Sequence, residues 1–250
     1  MKELYLVRHA KAEAPEGYDS DFERPLSKRG KKDARQIAEN LKASGFSPAV
    51  LVSSPAVRAL ETARIFARVL GYPEDRISIH ESIYDFSGGE NDNPMLTVLH
   101  SLDDQYDSAM LFGHNPTIAE FACFLQRTFA GPMPTCAVVG FHLRNRTWNK
   151  VSKGRGMVVY FDYPRKAEKE RVYLESHLTD SIRNQLQKIF SDADPEISKR
   201  MAKRIEKTAR RLTGKFLARL EAHHANQTAK RGKRKRAKGK SKKAKGKGNG

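Results

Sequence analysis

Short apolar runs alternate with amphipathic stretches through the first two thirds of the chain. Each apolar run ends in polar or charged residues, which is typical of strands that are buried on both faces of a sheet. The runs predict strands at 4–7, 49–53, 77–80 and 108–112, and two more at 136–143 and 156–163. The stretches between them have helical spacing and predict helices at 27–44, 56–70, from 93 onward and 115–129.

Alternating strands and helices predict an α/β fold. Such a pattern forms a mostly parallel sheet with helices on both faces, a three-layer arrangement. The last two strands are joined by a short polar segment, so we expect them to pair antiparallel. Residues 11–26 contain Pro15, Gly17 and Pro25 and predict a long loop over the strand ends, where ligands of such sheets bind.

Charge divides the chain. Residues 1–163 hold 20 basic and 20 acidic residues, whereas 164–250 hold 27 and 9, so the whole net charge of +18 lies in the second part. We expect a globular domain at 1–163, a basic helical extension at 164–229 and a disordered Lys/Arg-rich tail at 230–250. In the extension, one apolar stripe is predicted to contain Met201, Ile205, Ala209, Leu212, Phe216 and Leu220.

Several classes of protein are disfavoured by the composition. The two cysteines, Cys123 and Cys136, are too few for a disulfide framework and lack metal-ligand spacing. No apolar run approaches the roughly 20 residues of a membrane span, and no leader peptide is evident. We therefore expect a cytoplasmic protein that does not bind membranes.

Candidate chemistry lies where three predicted strands end. Arg8 and His9 follow the first strand, Arg58 lies in the first turn of the helix after the second, and His114 follows the fourth. Two guanidiniums and two imidazoles favour a phosphate dianion, because arginine binds phosphate oxygens in a bidentate way. A metal is not expected, since the arginines would repel it and the usual ligand set is missing.

These motifs resemble the histidine phosphatase superfamily, also called phosphoglycerate mutase-like. The resemblance rests on the strand that ends in Arg8-His9-Ala10, the Ser53-Ser54-Pro55 turn that leads to Arg58, and Gly113-His114-Asn115, and it covers roughly residues 1–163. Within the superfamily the chain is most similar to the small bacterial phosphohistidine phosphatases of the SixA type.

The resemblance implies a metal-independent phosphatase without a cofactor. His9 would be the nucleophile and form a phosphohistidine intermediate, while Arg8, Arg58 and His114 would bind the phosphate oxygens. Its substrate would be phosphohistidine or another phosphorylated protein. The proton donor is expected at Glu81, with Asp85 as a second candidate. Ala10 replaces the glycine that is usual after the catalytic histidine.

Two alternatives stay open. The chain could be a small-molecule phosphomonoesterase, or a protein that binds RNA, ribosomes or DNA and uses the phosphatase-like domain only as a phosphate-binding module. The basic tail suits nonspecific binding of nucleic acid or another polyanion, although a purely solubilising tail would have the same composition.

Overall fold

The computed structural model describes residues 1–84, 93–129, 131–193, 196 and 200–219. These residues divide into two compact units, a first that ends at Lys166 and a second that begins at Ala167. The first unit has a six-stranded sheet in the order β3-β2-β4-β1-β5-β6. Its strands are β1 (Lys2–Arg8), β2 (Val50–Ser53), β3 (Ser78–Ile79), β4 (Ser108–Gly113), β5 (Val138–Leu143) and β6 (Gly156–Asp162). The first four strands pair parallel, and β5 and β6 pair antiparallel, as the sequence predicts.

Helices cover both faces of this sheet. The helices are α1 (Lys28–Ala43), α2 (Val57–Leu70), α3 (Pro94–His100) and α4 (Thr117–Leu125). One core packs Tyr5, Val7 and Phe112 against α1 and α2, and the other packs Leu4, Leu6 and Leu111 against α3 and α4. Successive residues of β1 thus point into different cores, because side chains alternate along a strand. The predicted three-layer α/β fold is confirmed.

Local signals in the sequence account for the helix ends. The Ser27 hydroxyl accepts a hydrogen bond from the Gly30 amide at 3.0 Å and begins α1, and Asn93 caps α3 through the Met95 amide at 3.0 Å. The sequence predicts Asn115 as the N-cap of α4, but the cap lies one residue later, at Pro116. Asn115 instead donates its side-chain amide to the Met133 carbonyl at 3.0 Å. The helix also ends at Leu125, because Gln126 takes an extended conformation.

The second unit pairs two helical segments. α5 spans Lys166–Ala193, and residues 200–219 are helical. Thr179 of α5 donates to the Thr213 hydroxyl at 3.2 Å, and Arg183 contacts Glu206 at 3.5 Å, so the two segments run antiparallel. Asp194-Pro195 predicts the start of the second helix. These two residues, Leu220 of the predicted stripe and the tail at 230–250 lie outside the described residues.

The predicted apolar stripe of this helix is only partly right. The buried positions are Ile205, Ala209, Thr213 and Leu217, each four residues after the last, whereas Leu212 and Phe216 are 43% and 51% exposed. Sequence reasoning passed over Thr213 because it is polar, yet its hydroxyl is satisfied by Thr179. No helix in the described part of the chain is long and apolar enough to cross a membrane.

Candidate active site

The strand order brings the predicted residues to one edge of the sheet. β4 lies between β2 and β1, and Arg8 of β1 pairs in register with Gly113 of β4. The His9 amide continues this pairing by donating to the Gly113 carbonyl at 3.0 Å. Since α2 starts beside the end of β2, Arg58 comes to the same edge. The structure therefore brings Arg8, His9, Arg58 and His114 together.

His9 is held in one tautomer. Its Nδ1 lies 2.8 Å from the Ala10 carbonyl oxygen, which can only accept, so Nδ1 carries the proton and the lone pair remains on Nε2. The side chain is only 9% exposed. Burial, together with the positive charges of Arg58 and Arg8, lowers the pKa of His9 to about 4. At neutral pH, Nε2 is therefore unprotonated and able to act as a nucleophile.

His114 lies beside His9, with 5.0 Å between the ring centroids. Its Nε2 is 2.8 Å from the Ser54 hydroxyl, and its Nδ1 is buried without a hydrogen-bond partner among the described residues. Burial is the main cause that lowers the pKa of His114 to about 3. A neutral ring whose Nε2 accepts from Ser54 keeps the Nδ1 proton free for a bound oxyanion.

The two arginines are fixed by oxygen acceptors. Arg8 donates from Nη1 to the Met133 carbonyl at 2.8 Å. Arg58 forms an ion pair with Asp21 at 2.6 Å and donates to the Asp21 backbone oxygen. The Nε atoms of both arginines are buried and have no partner in the described part of the chain. With His114 Nδ1, which is a donor when Nε2 accepts from Ser54, three N–H groups at this edge lack acceptors, as expected where an anion binds.

Thr62 links Ala10, the residue after His9, to Arg58. Its hydroxyl accepts from the Ala10 amide at 3.0 Å and donates to the Arg58 carbonyl at 2.7 Å. Ala10 itself is fully buried and packs in the core beneath α1 and α2. Its methyl group therefore takes part in the core.

The proposed proton donor lies apart from these contacts. Glu81 is exposed at the start of a short 3-10 helix, Glu81–Ile83, and its carboxylate makes no hydrogen bond or ion pair with the residues described. Tyr84, at the end of this turn, contacts the His114 ring edge-on at 5.4 Å between centroids. Asp85, the second candidate, lies outside the described residues. The role of proton donor therefore stays a prediction for both acids.

Sequence reasoning missed Asp21 and Tyr84. The loop 11–27 is fastened at its base by pairing between Ala12 and Leu26, and it brings Asp21 onto Arg58. Burial alone would raise the pKa of Asp21, but the guanidiniums of Arg58 and Arg24 lower it on balance. The sequence signalled a loop over the strand ends, but not which of its carboxylates meets the arginine.

No group of three or more histidine, cysteine, aspartate or glutamate side chains in the described ranges is placed to hold a metal ion. The groups at the sheet edge are instead two cations and two neutral imidazoles. This donor set suits an anion, because it offers N–H groups and no carboxylate ligand except Asp21.

Comparisons with known proteins agree with this geometry. The family model described as the histidine phosphatase superfamily (branch 1) matches residues 4–128, half of the chain. An uncharacterised chloroplast protein of Arabidopsis thaliana is 31% identical over 130 residues, which cover 50% of this chain and 59% of that protein. The chain thus matches less than two thirds of that relative's length.

Solved structures share the fold. The putative phosphohistidine phosphatase SixA of Agrobacterium tumefaciens is 23% identical, with a TM-score of 0.52 over 65% of this chain and 98% of that one. A protein histidine phosphatase SixA complexed with tungstate is 21% identical, with a TM-score of 0.55 over 66% and 99% of the chains. The predicted resemblance is confirmed, and the family match over residues 4–128 supports an enzyme of the predicted phosphatase class. The strand-end arginines and histidines, the fold and the family match agree: this chain belongs to the histidine phosphatase superfamily (branch 1).

Proposed function

We propose that the chain is a metal-independent phosphatase that transfers a phosphoryl group to His9 and then to water. Nε2 of His9 attacks phosphorus while the bond to the leaving group breaks, and the leaving group takes up a proton. Water then attacks the phosphohistidine, which releases inorganic phosphate and restores neutral His9. The observation that carries this proposal is the His9 tautomer, because the 2.8 Å contact of Nδ1 with Ala10 leaves Nε2 unprotonated.

Arg8, Arg58 and His114 would bind the phosphate oxygens. Phosphoryl transfer depends mostly on positioning and on neutralising charge at these oxygens, and the site supplies both without a metal. The three unpartnered donors, Nε of each arginine and Nδ1 of His114, support this role. Tungstate is an oxyanion with the tetrahedral form of phosphate, so its complex with a SixA protein of the same fold is consistent with an oxyanion site here.

The substrate proposed is phosphohistidine or another phosphorylated protein. Imidazole departs readily from phosphorus, whereas an alkoxide needs a proton donor, and Glu81 is exposed rather than fixed at the site. Glu81 is nevertheless the proposed donor for alkyl esters. A cytoplasmic location and binding of polyanions by the tail stay proposals as well.

A second candidate is a polyanion-binding protein in which the site only binds phosphate. The net charge of +18 favours this reading. The tautomer of His9 favours catalysis, since a module that merely binds an anion gains nothing from an unprotonated nitrogen among arginines.

The test is hydrolysis by the full chain after removal of metals with a chelator. Phosphohistidine protein, a phosphoserine peptide and a small aryl phosphate are compared, and we expect release of phosphate from phosphohistidine. His9→Asn should abolish this release. His142→Asn is the matched control, because His142 pairs with Glu3 at the opposite end of β1. Activity that is lost with the chelator and restored by a divalent ion, or that survives His9→Asn, would contradict the proposal.

A further inference from the structure

The helix at 200–219 presents a row of cations opposite its buried face. Ile205, Ala209, Thr213 and Leu217 form that buried face. Arg200, Arg204, Lys207, Arg211 and Lys215 follow one another at steps of four or three residues and are all exposed. At 3.6 residues per turn, such steps keep side chains on one face. We call these five residues the basic ridge.

The basic ridge is free of opposing charge from its own helix. Glu206 is the only acidic residue between 200 and 219. Its carboxylate is already paired with Arg210 at 2.7 Å and with Arg183 of α5 at 3.5 Å, and neither of these arginines belongs to the ridge. Five like charges on one face repel one another. A partner with closely spaced negative charges would relieve that repulsion.

We infer that the basic ridge binds the phosphate backbone of nucleic acid, independently of sequence. The ridge extends over about 22 Å at 1.5 Å per residue. Duplex DNA of that length carries about 13 phosphates, since one charge occurs per 1.7 Å of axis. Each ridge cation can therefore meet a phosphate. The basic ridge consists only of arginine and lysine side chains. Contacts of such side chains with phosphates position a protein on the backbone but do not read the base sequence.

An anionic membrane surface is the competing partner. A helix that lies on a bilayer buries its apolar face among the lipids and keeps its cations at the rim. Here the apolar face packs within the second unit, where Thr213 is hydrogen-bonded to Thr179. The exposed Leu212 and Phe216 lie more than a quarter-turn away from the middle of the ridge. The ridge can thus touch headgroups only by charge, which favours nucleic acid as the partner.

The experiment measures binding of the full chain to a duplex DNA and to a single-stranded RNA of unrelated sequence, between about 50 and 200 mM salt. The variant Arg204→Gln/Lys207→Gln/Arg211→Gln removes three ridge charges. Its control, Lys32→Gln/Arg35→Gln/Arg64→Gln, removes three exposed charges from α1 and α2. The slope of log K against log salt is negative, and we expect the ridge variant to make it less negative by up to about 2.7 for the duplex and 2.1 for the single strand. The control should keep the wild-type slope.

Two further variants separate the loss of charge from the loss of helical structure. Lys207→Gln alone, at an exposed position, should make the slope for the duplex less negative by about 0.9. This single variant replaces the triple variant if circular dichroism shows that the triple variant has lost helical structure. Arg204→Lys/Arg211→Lys keeps the charge and should keep the slope. Turnover of a small phosphate ester should be equal in all variants, so the outcome does not depend on the proposed function. The inference would be overturned if the triple Gln variant and Lys207→Gln both kept the wild-type slope. It would also be overturned if the ridge were needed for binding to phosphatidylserine vesicles but not to nucleic acid.

Discussion

Replacing His9 with asparagine should make the protein less sensitive to acid. In the folded chain, burial lowers the pKa of His9 to about 4, whereas an unfolded histidine titrates near 6.5. Between these values the unfolded state binds more protons, so its free energy falls relative to the folded state as the pH drops. His9 thus costs stability in acid, and the loss begins as the pH falls through about 6.5.

The size of the effect follows from the two pKa values. Between pH 7 and pH 5, the linkage relation gives a loss of about 2 kcal/mol from His9. If the pKa of His9 in the folded chain were one unit higher, the loss of stability between pH 7 and pH 5 would still be about 1.5 kcal/mol. Asparagine does not titrate, so the free energy of unfolding of His9→Asn should fall by about 2 kcal/mol less than that of wild type over the same range.

Urea unfolding at pH 7, 6 and 5 measures this difference. The signal is the fluorescence of Trp148, the only tryptophan, which is fully buried in the first unit. Comparing pH dependences rather than absolute stabilities removes the effect of the lost hydrogen bond to Ala10, which is present at every pH. Parallel curves for wild type and His9→Asn would mean that the pKa of His9 is the same in the folded and the unfolded state, contrary to this prediction.

Three other changes test separate parts of the account. Glu81→Gln should slow hydrolysis of alkyl phosphate esters by roughly 10² to 10⁴ and that of phosphohistidine much less; equal small effects on both substrates would make Glu81 a mere surface carboxylate. Thr62→Val should destabilise the protein by about 1–3 kcal/mol and reduce turnover, because it leaves the buried Ala10 amide without its acceptor; Thr62→Ser, which keeps the hydroxyl, should retain most of the stability and of the turnover. Deletion of residues 230–250 should leave turnover of a small substrate unchanged and weaken nucleic-acid binding with a shallower salt dependence, whereas a loss of turnover would place the tail at the active site.

Much of the fold could be predicted because its signals are local. Ser27 and Asn93 cap helices through their own side chains, and the short apolar run 108–112 forms a buried strand. The meeting of His9 and His114 follows from strand order, because parallel strands end at one edge. Motif positions and sheet topology were therefore enough to place the two histidines together.

The rest depends on contacts between distant segments. Asp21 reaches Arg58 across 37 positions of sequence, from a loop whose path no local pattern reveals. Tyr84 contacts His114 for the same reason, and its aromatic character did not distinguish it from a core residue. In the helix 200–219, Thr213 replaces Leu212 at the buried face, since a hydroxyl that finds Thr179 can be buried at little cost. The hydrophobic pattern therefore fails to predict the position of polar residues whose partners are distant in sequence.

Trapping the phosphorylated enzyme shows directly whether His9 accepts the phosphoryl group. The full chain, freed of metal, is mixed with a labelled aryl phosphate, quenched within one turnover at alkaline pH and digested for mass spectrometry. We predict phosphate on the peptide that contains His9, stable to alkali and labile to acid as expected for a phosphorus–nitrogen bond, and absent from His9→Asn. Rapid turnover without any phosphoenzyme, or with phosphate on a different residue, would contradict the account.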